Sequence, residues 1–342
     1  MPQPQLVECV IIFNVKVKQL GEFGLIDRLE KMIAAAGVSK APRLLLGIGD
    51  DTAAWQSDVA VQLATVDTMV EGIHFTPDTA TWREVGWKSL AINFSDIAAM
   101  GGIPKYALIA LTLPDTTEVA DITDLYKGMI AIAKEYKIAI VGGNISKAPQ
   151  VSITVTIFGS ATGNILRRAN AKAGDVIAIT GYAGSAAAGL QMLTKKLKLK
   201  AADAKYLRNA FLHPLPRISE GQFLVKSGVA CAVDTSDGLL ADLRHICEAS
   251  KAAAKVNVDF VPIHDAVKNN FKKQALELAL GGGEDYELLF TGSKDAVNKV
   301  KKAAKYPVTI IGEMVGGRAG KIDLVDNRGK PVKIQHAGWT HF

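Results

Sequence analysis

Carboxylates that follow apolar runs are the residues of this chain whose types and spacing could do chemistry. Residues 44–52 read LLLGIGDDT, so the end of an apparent buried strand meets two glycines and then the adjacent acids Asp50 and Asp51. Glycines let a backbone approach a ligand closely, and two adjacent side chains cannot both point into a core. Such acids suit Mg²⁺, which proteins bind through a few carboxylates together with substrate phosphates. An ordinary acidic turn is the alternative for this stretch taken alone.

Acids and glycines follow apolar runs again further along the chain. The segment VDTMVEGIHF places Asp67 and Glu71 shortly before His74. A lone histidine after a strand is more often a surface or core residue than a ligand, so His74 gains weight only from its acidic neighbours. The other occurrences are Gly142-Gly143-Asn144, the segment VDTSDGL with Asp234, Ser236 and Asp237, and GGGEDYE at 281–287.

A further acid, Asp96, lies inside a predicted helix. Thr81 and Glu84 form a capping-box pattern, and the helix they start is expected to reach about Met100. This helix is nearly apolar, which indicates burial, and an ionised aspartate is costly to bury without a partner. Asp96 is therefore expected to face a metal, a cation or a polar cleft, the alternative being that it caps its own backbone. Asp237 has a similar alternative as an acid at a helix N-terminus.

Strands and helices that alternate along the chain must position these residues. Hydrophobic periodicity and the turn residues predict two α/β domains, because 342 residues exceed one typical core. A change in composition at 163–174 marks the expected boundary, which gives an N-terminal extension at 1–18 and domains at 19–162 and 163–342. Strands are predicted at 59–66, 106–113, 138–141, 151–159, 175–180, 229–233, 288–292 and 308–312, the last as the final strand, and helices at 21–36, 119–137 and 217–227.

Composition excludes several classes of protein. A hydrophobic content of 49% with 22% charged residues is typical of a globular protein, and no apolar run approaches the roughly 20 residues that cross a bilayer. The net charge of +6 comes from lysine clusters with helical spacing and no interleaved aromatics, so no nucleic-acid partner is expected. Three scattered cysteines without metal or disulfide spacing favour a reduced, cytoplasmic setting.

The distribution of acids favours phosphoryl transfer. The sequence has no Walker loop, protein-kinase signature, dinucleotide-binding fingerprint or nucleophile elbow. Carboxylates at several strand ends can gather at one cleft if those strands lie side by side. Two or more Mg²⁺ ions held there would neutralise a polyphosphate and a transferring phosphoryl group, which is most of what phosphoryl transfer requires.

Motifs in a fixed order resemble one family. GEFGLIDRL, GIGDDTA, VDTMVEGIHF, GWKSLAINFSDIAAMGGIP, AKAGDVIAITG, HPLPRI, VDTSDGL, GGGEDYELLF and GWTHF are similar to the thiamine-monophosphate kinases and cover about residues 19–342. That family belongs to the ATP-binding superfamily of aminoimidazole ribonucleotide synthase. The resemblance implies an α/β (α+β) fold, with an N-terminal mixed sheet and helices that form the dimer and the ATP cleft. A C-terminal α/β domain would complete the substrate site.

The resemblance also implies roles for individual residues. It implies direct transfer of the γ-phosphoryl group of ATP to thiamine monophosphate by a homodimer that uses several Mg²⁺ ions and no protein nucleophile. The implied metal ligands are Asp50, Asp51, Thr65, Asp67, Asp96, Asn144, Asp234 and Asp237. The implied ATP contacts are Tyr126, Gly143, Asn144, Arg168 and Ser236, and the implied thiamine-phosphate contacts are His74, Glu284 and Trp339.

Two departures from the family pattern bear on catalysis. Asn144 stands where an aspartate is usual, so a charged ligand is replaced by a neutral amide, and Val66 stands where a threonine is common. Two alternatives therefore stay open: another ATP-using member of the superfamily, or a nucleotide-binding protein whose catalysis is weakened at Asn144. The lack of a cysteine in a glycine-rich N-terminal loop argues against selenium chemistry.

Overall fold

A computed structural model describes residues 15–46, 48, 54–57, 61–334 and 338. The predicted site residues Asp50, Asp51 and Trp339 lie outside these described residues. Within them, no helix is both long enough and apolar enough to span a membrane.

The N-terminal half contains a four-stranded mixed sheet with helices on one face. Its elements are α1 (Val17–Ala35), β1 (Leu44–Leu46), β2 (Ala54–Trp55), β3 (Val61–Val70), α2 (Trp82–Ala99), β4 (Ile103–Leu113), α3 (Val119–Tyr136), β5 (Ala139–Lys147) and β6 (Ser152–Ala161). The strand order is β3-β6-β4-β5, with β4 and β5 parallel and the other pairs antiparallel. Strands β1 and β2 form a separate antiparallel pair.

The C-terminal half contains a six-stranded mixed sheet. Its elements are β7 (Val176–Thr180), α4 (Ser185–Thr194), α5 (Ala201–Leu212), α6 (Ile218–Lys226), β8 (Cys231–Asp234), α7 (Leu239–Ala249), β9 (Ala253–Asn257), α8 (Asp265–Phe271), α9 (Ala275–Gly281), β10 (Leu288–Gly292), α10 (Lys294–Ala303), β11 (Val308–Val315) and β12 (Ile322–Val325). The strand order is β12-β9-β11-β7-β10-β8, and only the β12–β9 pair is parallel. The predicted fold class, two-domain α/β with a mixed N-terminal sheet, is confirmed.

Helix α2 is the buried centre of the N-terminal half. Thr81 and Glu84 form the predicted capping box, with the Glu84 N–H donating to Thr81 Oγ1 at 3.3 Å. Helix α3 crosses α2 closely because each presents a glycine: a Cβ on Gly86 would lie 1.9 Å from the Leu125 carbonyl oxygen, and one on Gly128 1.9 Å from the Arg83 carbonyl oxygen. This crossing fixes α2 against the sheet.

The same helix joins the two halves along one edge. The indole N–H of Trp87 donates to the Pro214 carbonyl oxygen at 3.2 Å, and Gly221 at α6 would bring a Cβ to 2.1 Å from the Ala98 carbonyl oxygen. Residues three, four and seven positions apart lie on one face of a helix. The face of α2 that includes Trp87 and Ala98 therefore contacts the C-terminal half along most of the length of the helix.

Three predictions of local structure were wrong. Strand β5 does not end at Gly142-Gly143-Asn144 but continues to Lys147, because its pairing with β4 extends to Leu113 and Gly143 fits where a Cβ would lie 1.9 Å from the Ile109 carbonyl oxygen. The strand at 308–312 is not the last, since β12 adds to the sheet beside β9. Asp67 does not follow the strand predicted at 59–66 but lies inside β3, which continues to Val70.

Candidate functional site

Strand β3 and helix α2 bring the first two acids together. Along β3, Leu63, Thr65 and Asp67 lie on the face that packs against α2, because side chains alternate along a strand. Thr65 Oγ1 donates a hydrogen bond of 2.6 Å to Asp96 Oδ2. Asp96 therefore faces the sheet and a polar neighbour, as expected from its position in an apolar helix.

The C-terminal half adds a third acid, Asp234, at the end of β8. Its side chain is buried, with an exposed fraction of 2%, and its Oδ2 accepts a hydrogen bond of 2.7 Å from Ser95 Oγ. The adjacent α2 residues Ser95 and Asp96 thus face different sheets. Ser95 donates to Asp234 of the C-terminal sheet, and Asp96 accepts from Thr65 of the N-terminal sheet. The site lies between the two halves of the chain.

Burial and mutual repulsion raise the pKa of these carboxyl groups. Burial first and Asp96 second raise the pKa of Asp67 to about 6. Burial first and Asp96 second also raise the pKa of Asp234 to about 7, against the opposing effects of the Ser95 hydrogen bond and the Arg168 charge. Burial raises the pKa of Asp96, while Thr65 and Arg168 lower it. The cluster therefore concentrates negative charge that Arg168 only partly offsets.

Arg168 lies at the rim of a cavity of about 470 Å³ whose walls include Thr65, Asp96 and Asp234. Its backbone is fixed by Ser250 at the end of α7. Ser250 Oγ donates to the Arg168 carbonyl oxygen at 2.7 Å and accepts from the Ala171 N–H at 3.0 Å. One hydroxyl thus closes the turn that presents Arg168 to the acids.

The start of α7 contributes further acids. Asp237 and Asp242 lie with His245 so that one ligand atom of each is within 4.8 Å of the others. Asp242 is 1% exposed and accepts a hydrogen bond of 3.1 Å from the Gly238 N–H, which lies at the helix N-terminus. Burial, and next Asp234, raise the pKa of Asp242 to about 8. Because Asp237 also raises the pKa of Asp67, this segment extends the same negative region.

The segment at 281–287 packs against the loop that contains Ser236. The Glu284 N–H donates to the Ser236 carbonyl oxygen at 2.7 Å, and Glu284 adopts a left-handed backbone conformation with φ of 69°. Its carboxylate forms an ion pair with Lys88 of α2, at 2.8 Å between Nζ and Oε1. Glu284 and Ser236 therefore lie beside each other, near Asp234.

His74 lies in the turn that follows β3. Its Nδ1 accepts a hydrogen bond of 3.1 Å from the Val70 N–H, which orients the ring within the turn. Asp67 and His74 thus share one strand and its following turn, as the motif VDTMVEGIHF predicts.

Tyr126, Gly143 and Asn144 lie together elsewhere, around a smaller cavity of about 80 Å³ beneath α1. Gly143 stands in one row of the sheet with Ile109, Val155 and Asp67. Three strand spacings separate the ends of that row, which is about 14 Å. Asn144, the next residue, donates from Nδ2 to Ser146 Oγ at 2.9 Å. Within one chain, Asn144 and Asp67 are therefore too far apart to bind the same ion.

The donor set around the larger cavity fits divalent cations. Asp96 and Asp234 supply carboxylate oxygens to its walls and Thr65 supplies a hydroxyl oxygen, while the carboxylate of Asp67 lies next to that of Asp96. Oxygen ligands of this kind are the ones that Mg²⁺ prefers. Asp234 is buried beside other acids, and its raised pKa reflects a charge that a bound cation would balance. The residues present therefore suit a metal-dependent phosphate site.

Sequence reasoning missed several residues of this region. Lys88 could have been noticed, because it is a lysine inside an otherwise apolar helical stretch. Tyr286, which is 8% exposed and whose pKa is raised by burial and by the surrounding acids, lies within a quoted motif but received no role. Ser250 and Asp242 gave no signal in the sequence, since only the packing of α7 brings them to the site.

Family models match both halves of the chain. The model of the AIR synthase related protein N-terminal domain matches residues 49–165, and the model of the corresponding C-terminal domain matches residues 172–325.

Individual relatives are similar over most of the length. A thiamine-monophosphate kinase of Buchnera aphidicola subsp. Schizaphis graminum is 40% identical over 303 residues, which is 86% of this chain and 92% of the relative. The crystal structure of thiamine-monophosphate kinase from Stenotrophomonas maltophilia K279a matches with a TM-score of 0.79 and 36% identity, over 91% of this chain and 98% of that one. The structure of AaThiL complexed with AMPPCP and TMP matches with a TM-score of 0.75 and 33% identity, over 96% of this chain and 100% of that one.

Proposed function

The chain belongs to the thiamine-monophosphate kinase family, and on that premise we propose that it phosphorylates thiamine monophosphate to thiamine diphosphate with ATP as co-substrate. The observation that supports this most directly is that Asp96 and Asp234, one from each half of the chain, line one cavity together with Arg168, with Asp67 next to Asp96. The structure of one relative, AaThiL, is a complex with AMPPCP and TMP. A cavity lined by carboxylates and an arginine suits phosphate-containing ligands when metal ions are bound.

The proposed reaction is a direct in-line transfer. An oxygen of the thiamine-monophosphate phosphate forms a bond to the γ-phosphorus of ATP while the bond to the bridging β–γ oxygen breaks, and ADP leaves with that electron pair. The acceptor phosphate is already ionised, so the chain needs to supply no covalent nucleophile. What it must supply is positioning and the balancing of charge.

The residues divide between metal, nucleotide and acceptor. Several Mg²⁺ ions, when bound, would neutralise phosphate charge. The proposed ligands, divided among these ions, are Asp50, Asp51, Thr65, Asp67, Asp96, Asn144, Asp234 and Asp237. Arg168 and Ser236 would contact ATP in the larger cavity, and Tyr126, Gly143 and Asn144 would contact it in the smaller one. His74, Glu284 and Trp339 would hold thiamine monophosphate.

A homodimer would bring the two cavities into one functional unit. Support comes from the face of the N-terminal sheet opposite α2, where Val66 has an exposed fraction of 58% and Thr68 bonds to Thr154 across strands. Asn144 and its partner Ser146 are also exposed on β5. A second copy of this chain is the proposed partner for this face, and the cytoplasm is the proposed compartment.

Measurement of ADP release from Mg-ATP, with and without thiamine monophosphate, tests the function. The wild type should release ADP only when thiamine monophosphate is present, with thiamine diphosphate appearing at the same rate. Release independent of thiamine monophosphate, or no release at all, would contradict the proposal for the wild type.

A weakened kinase is the second candidate, and Asn144 is the residue that favours it. The amide supplies an oxygen but no charge, so metal affinity or rate should be lower than with a carboxylate. Asn144→Asp measured beside the wild type separates the cases. An Asn144→Asp variant that alone turns over would indicate an impaired kinase, whereas two silent proteins would exclude the kinase function.

A further inference from the structure

Lys88 is a buried lysine in the middle of the contact between the two halves. It lies on α2 with an exposed fraction of 2%, between Trp87 and the buried Ser89. Burial lowers the pKa of Lys88, and Glu284 opposes that effect. A buried ammonium is costly unless it is paired, so the environment of Lys88 needs a specific reason.

Two groups surround its Nζ atom. Glu284 Oε1 lies 2.8 Å away, and the ring centroid of Phe211 lies 3.7 Å away. The aromatic face and the carboxylate together stabilise the charged form of the lysine. The side chain of Lys88 is 3% exposed while that of Glu284 is 30% exposed. Lys88 therefore lies behind Glu284, and Glu284 is the member of the pair that a ligand can reach.

The backbone around Glu284 is already fixed by other contacts. Its N–H donates to the Ser236 carbonyl oxygen at 2.7 Å, and a Cβ on the preceding Gly283 would lie 2.4 Å from that same oxygen. What remains to be set is the direction of the carboxylate. The ion pair with Lys88 restricts that direction.

We propose that Lys88 is a positioning residue that orients the Glu284 carboxylate toward the thiamine part of the acceptor. This inference rests on the proposed function. An ionised carboxylate accepts hydrogen bonds and attracts cationic groups, and the thiamine part of the substrate has a cationic thiazolium ring and an amino group. Lys88 does not itself touch the substrate.

Steady-state kinetics of Lys88→Met, Glu284→Gln and the double variant test this role. Lys88→Met should raise the KM for thiamine monophosphate about 10- to 100-fold, which is the range for loss of one charge-assisted hydrogen bond between Glu284 and the substrate. The KM for ATP should change much less. The double variant should match Glu284→Gln alone, because Lys88 acts only through Glu284.

Arg208→Met provides the matched control. Arg208 of α5 forms a two-point ion pair with Glu84, which lies on α2 as Lys88 does. Arg208 Nε lies 3.0 Å from Glu84 Oε1, and Arg208 Nη2 lies 2.6 Å from Glu84 Oε2, so this pair also joins the two halves. Arg208→Met should lower thermal stability and leave the KM for thiamine monophosphate unchanged. A Lys88→Met variant that lowers stability in the same way without changing that KM would reduce Lys88 to a structural residue and overturn the inference.

The remaining outcomes are also decisive. If Lys88→Met does not fold, the double variant, which leaves no unpaired charge, is compared with Glu284→Gln. A double variant whose KM is a further tenfold higher would contradict action through Glu284. A wild type without thiamine-monophosphate-dependent ADP release would contradict the proposed function, whereas an active wild type with an unchanged KM in Lys88→Met would contradict this inference alone.

Discussion

The contact between the two halves differs in charge from one end to the other. In the part that we call the paired region, an acid of one half meets a base of the other: Glu84 pairs with Arg208, and Glu284 pairs with Lys88. A third buried pair, Glu287 with Arg217, lies within the C-terminal half. In the part that we call the acid region, Asp67, Asp96, Asp234 and Asp242 repel one another around Arg168. Helix α2 contributes residues to both.

This difference separates stability from function. In a buried ion pair, the acid and the base balance each other's charge, so removing either partner leaves an uncompensated charge in the interior. A cluster of buried acids is held together by the surrounding fold against its own repulsion, and a cation from outside can relieve that repulsion. The paired region therefore joins the halves, and the acid region is where ligands have most to contribute.

The largest expected effect is on catalysis in the acid region. Asp234→Asn should lower kcat about 1,000-fold, in the range for loss of a charge that stabilises a transition state. The metal-free protein should nevertheless be as stable as the wild type or more stable, because the substitution removes a repelled charge. Kinetics and thermal unfolding check both parts.

Glu84→Gln is the control from the paired region, where the opposite pattern is expected. It should lower stability and leave kcat nearly unchanged. If Asp234→Asn instead destabilised the metal-free protein as much as Glu84→Gln does, the distinction between the two regions would fail.

The next effect is on stability, at the buried ion pair of Arg217 and Glu287 within the C-terminal half. Arg217→Met leaves Glu287 buried without its two-point partner, and should lower the free energy of unfolding by about 3 kcal/mol. Arg217→Met combined with Glu287→Gln should recover part of the loss, because no unpaired charge remains. Chemical denaturation measures both.

An exposed ion pair sets the scale for that measurement. Lys127 and Asp124 lie on the surface of α3 with side-chain exposures of 52% and 55%. Lys127→Met should cost less than about 1 kcal/mol. Equal costs for Arg217→Met and Lys127→Met would show that burial does not strengthen the dependence of Glu287 on its partner.

Sequence patterns predicted the elements better than the distances between them. The capping box of Thr81 and Glu84 and the alternation of β6 are local signals, and both are confirmed. That Asp67, Asp96 and Asp234 converge was expected, with Asp96 in a helix and Asp234 after a strand, but the position of Asp67 in the interior of a strand was not. The separation of Asn144 from Asp67 could not be predicted, because it depends on the strand order β3-β6-β4-β5, which no local pattern encodes. Lys88 and Glu284 are 196 residues apart in sequence, and only the docking of the halves pairs them.

A smaller effect is the dependence of stability on pH. The pKa values of Asp67 and Asp234, raised to about 6 and about 7, mean that the folded protein keeps protons that the unfolded chain has released. Their contribution to stability is therefore greatest at low pH and declines as pH rises from about 4 through about 7. The metal-free wild type should lose more stability between about pH 5.5 and 8.5 than Asp234→Asn loses.

Added Mg²⁺ sharpens this measurement. Because protons and cations compete for the same carboxylates, Mg²⁺ should raise the melting temperature more at about pH 8.5 than at about pH 5.5. An equal increase at both values would mean that the ion binds away from the titrating acids.

The smallest effect concerns Arg168, the base of the acid region. Ser250 Oγ holds the Arg168 carbonyl oxygen at 2.7 Å but touches no acid of the cluster, so its loss should shift the guanidinium without removing it. Ser250→Ala should raise the KM for ATP about 3- to 10-fold, which corresponds to one neutral hydrogen bond. Ser250→Thr keeps the hydroxyl and should behave as the wild type.

If Ser250→Ala changed stability but not the KM for ATP, the turn at Arg168 would be held by its other contacts, which include the Cys231 thiol at 3.6 Å from the same carbonyl oxygen. The acid region would then keep its base in place without Ser250, and the packing of β8 rather than the end of α7 would determine where that charge lies.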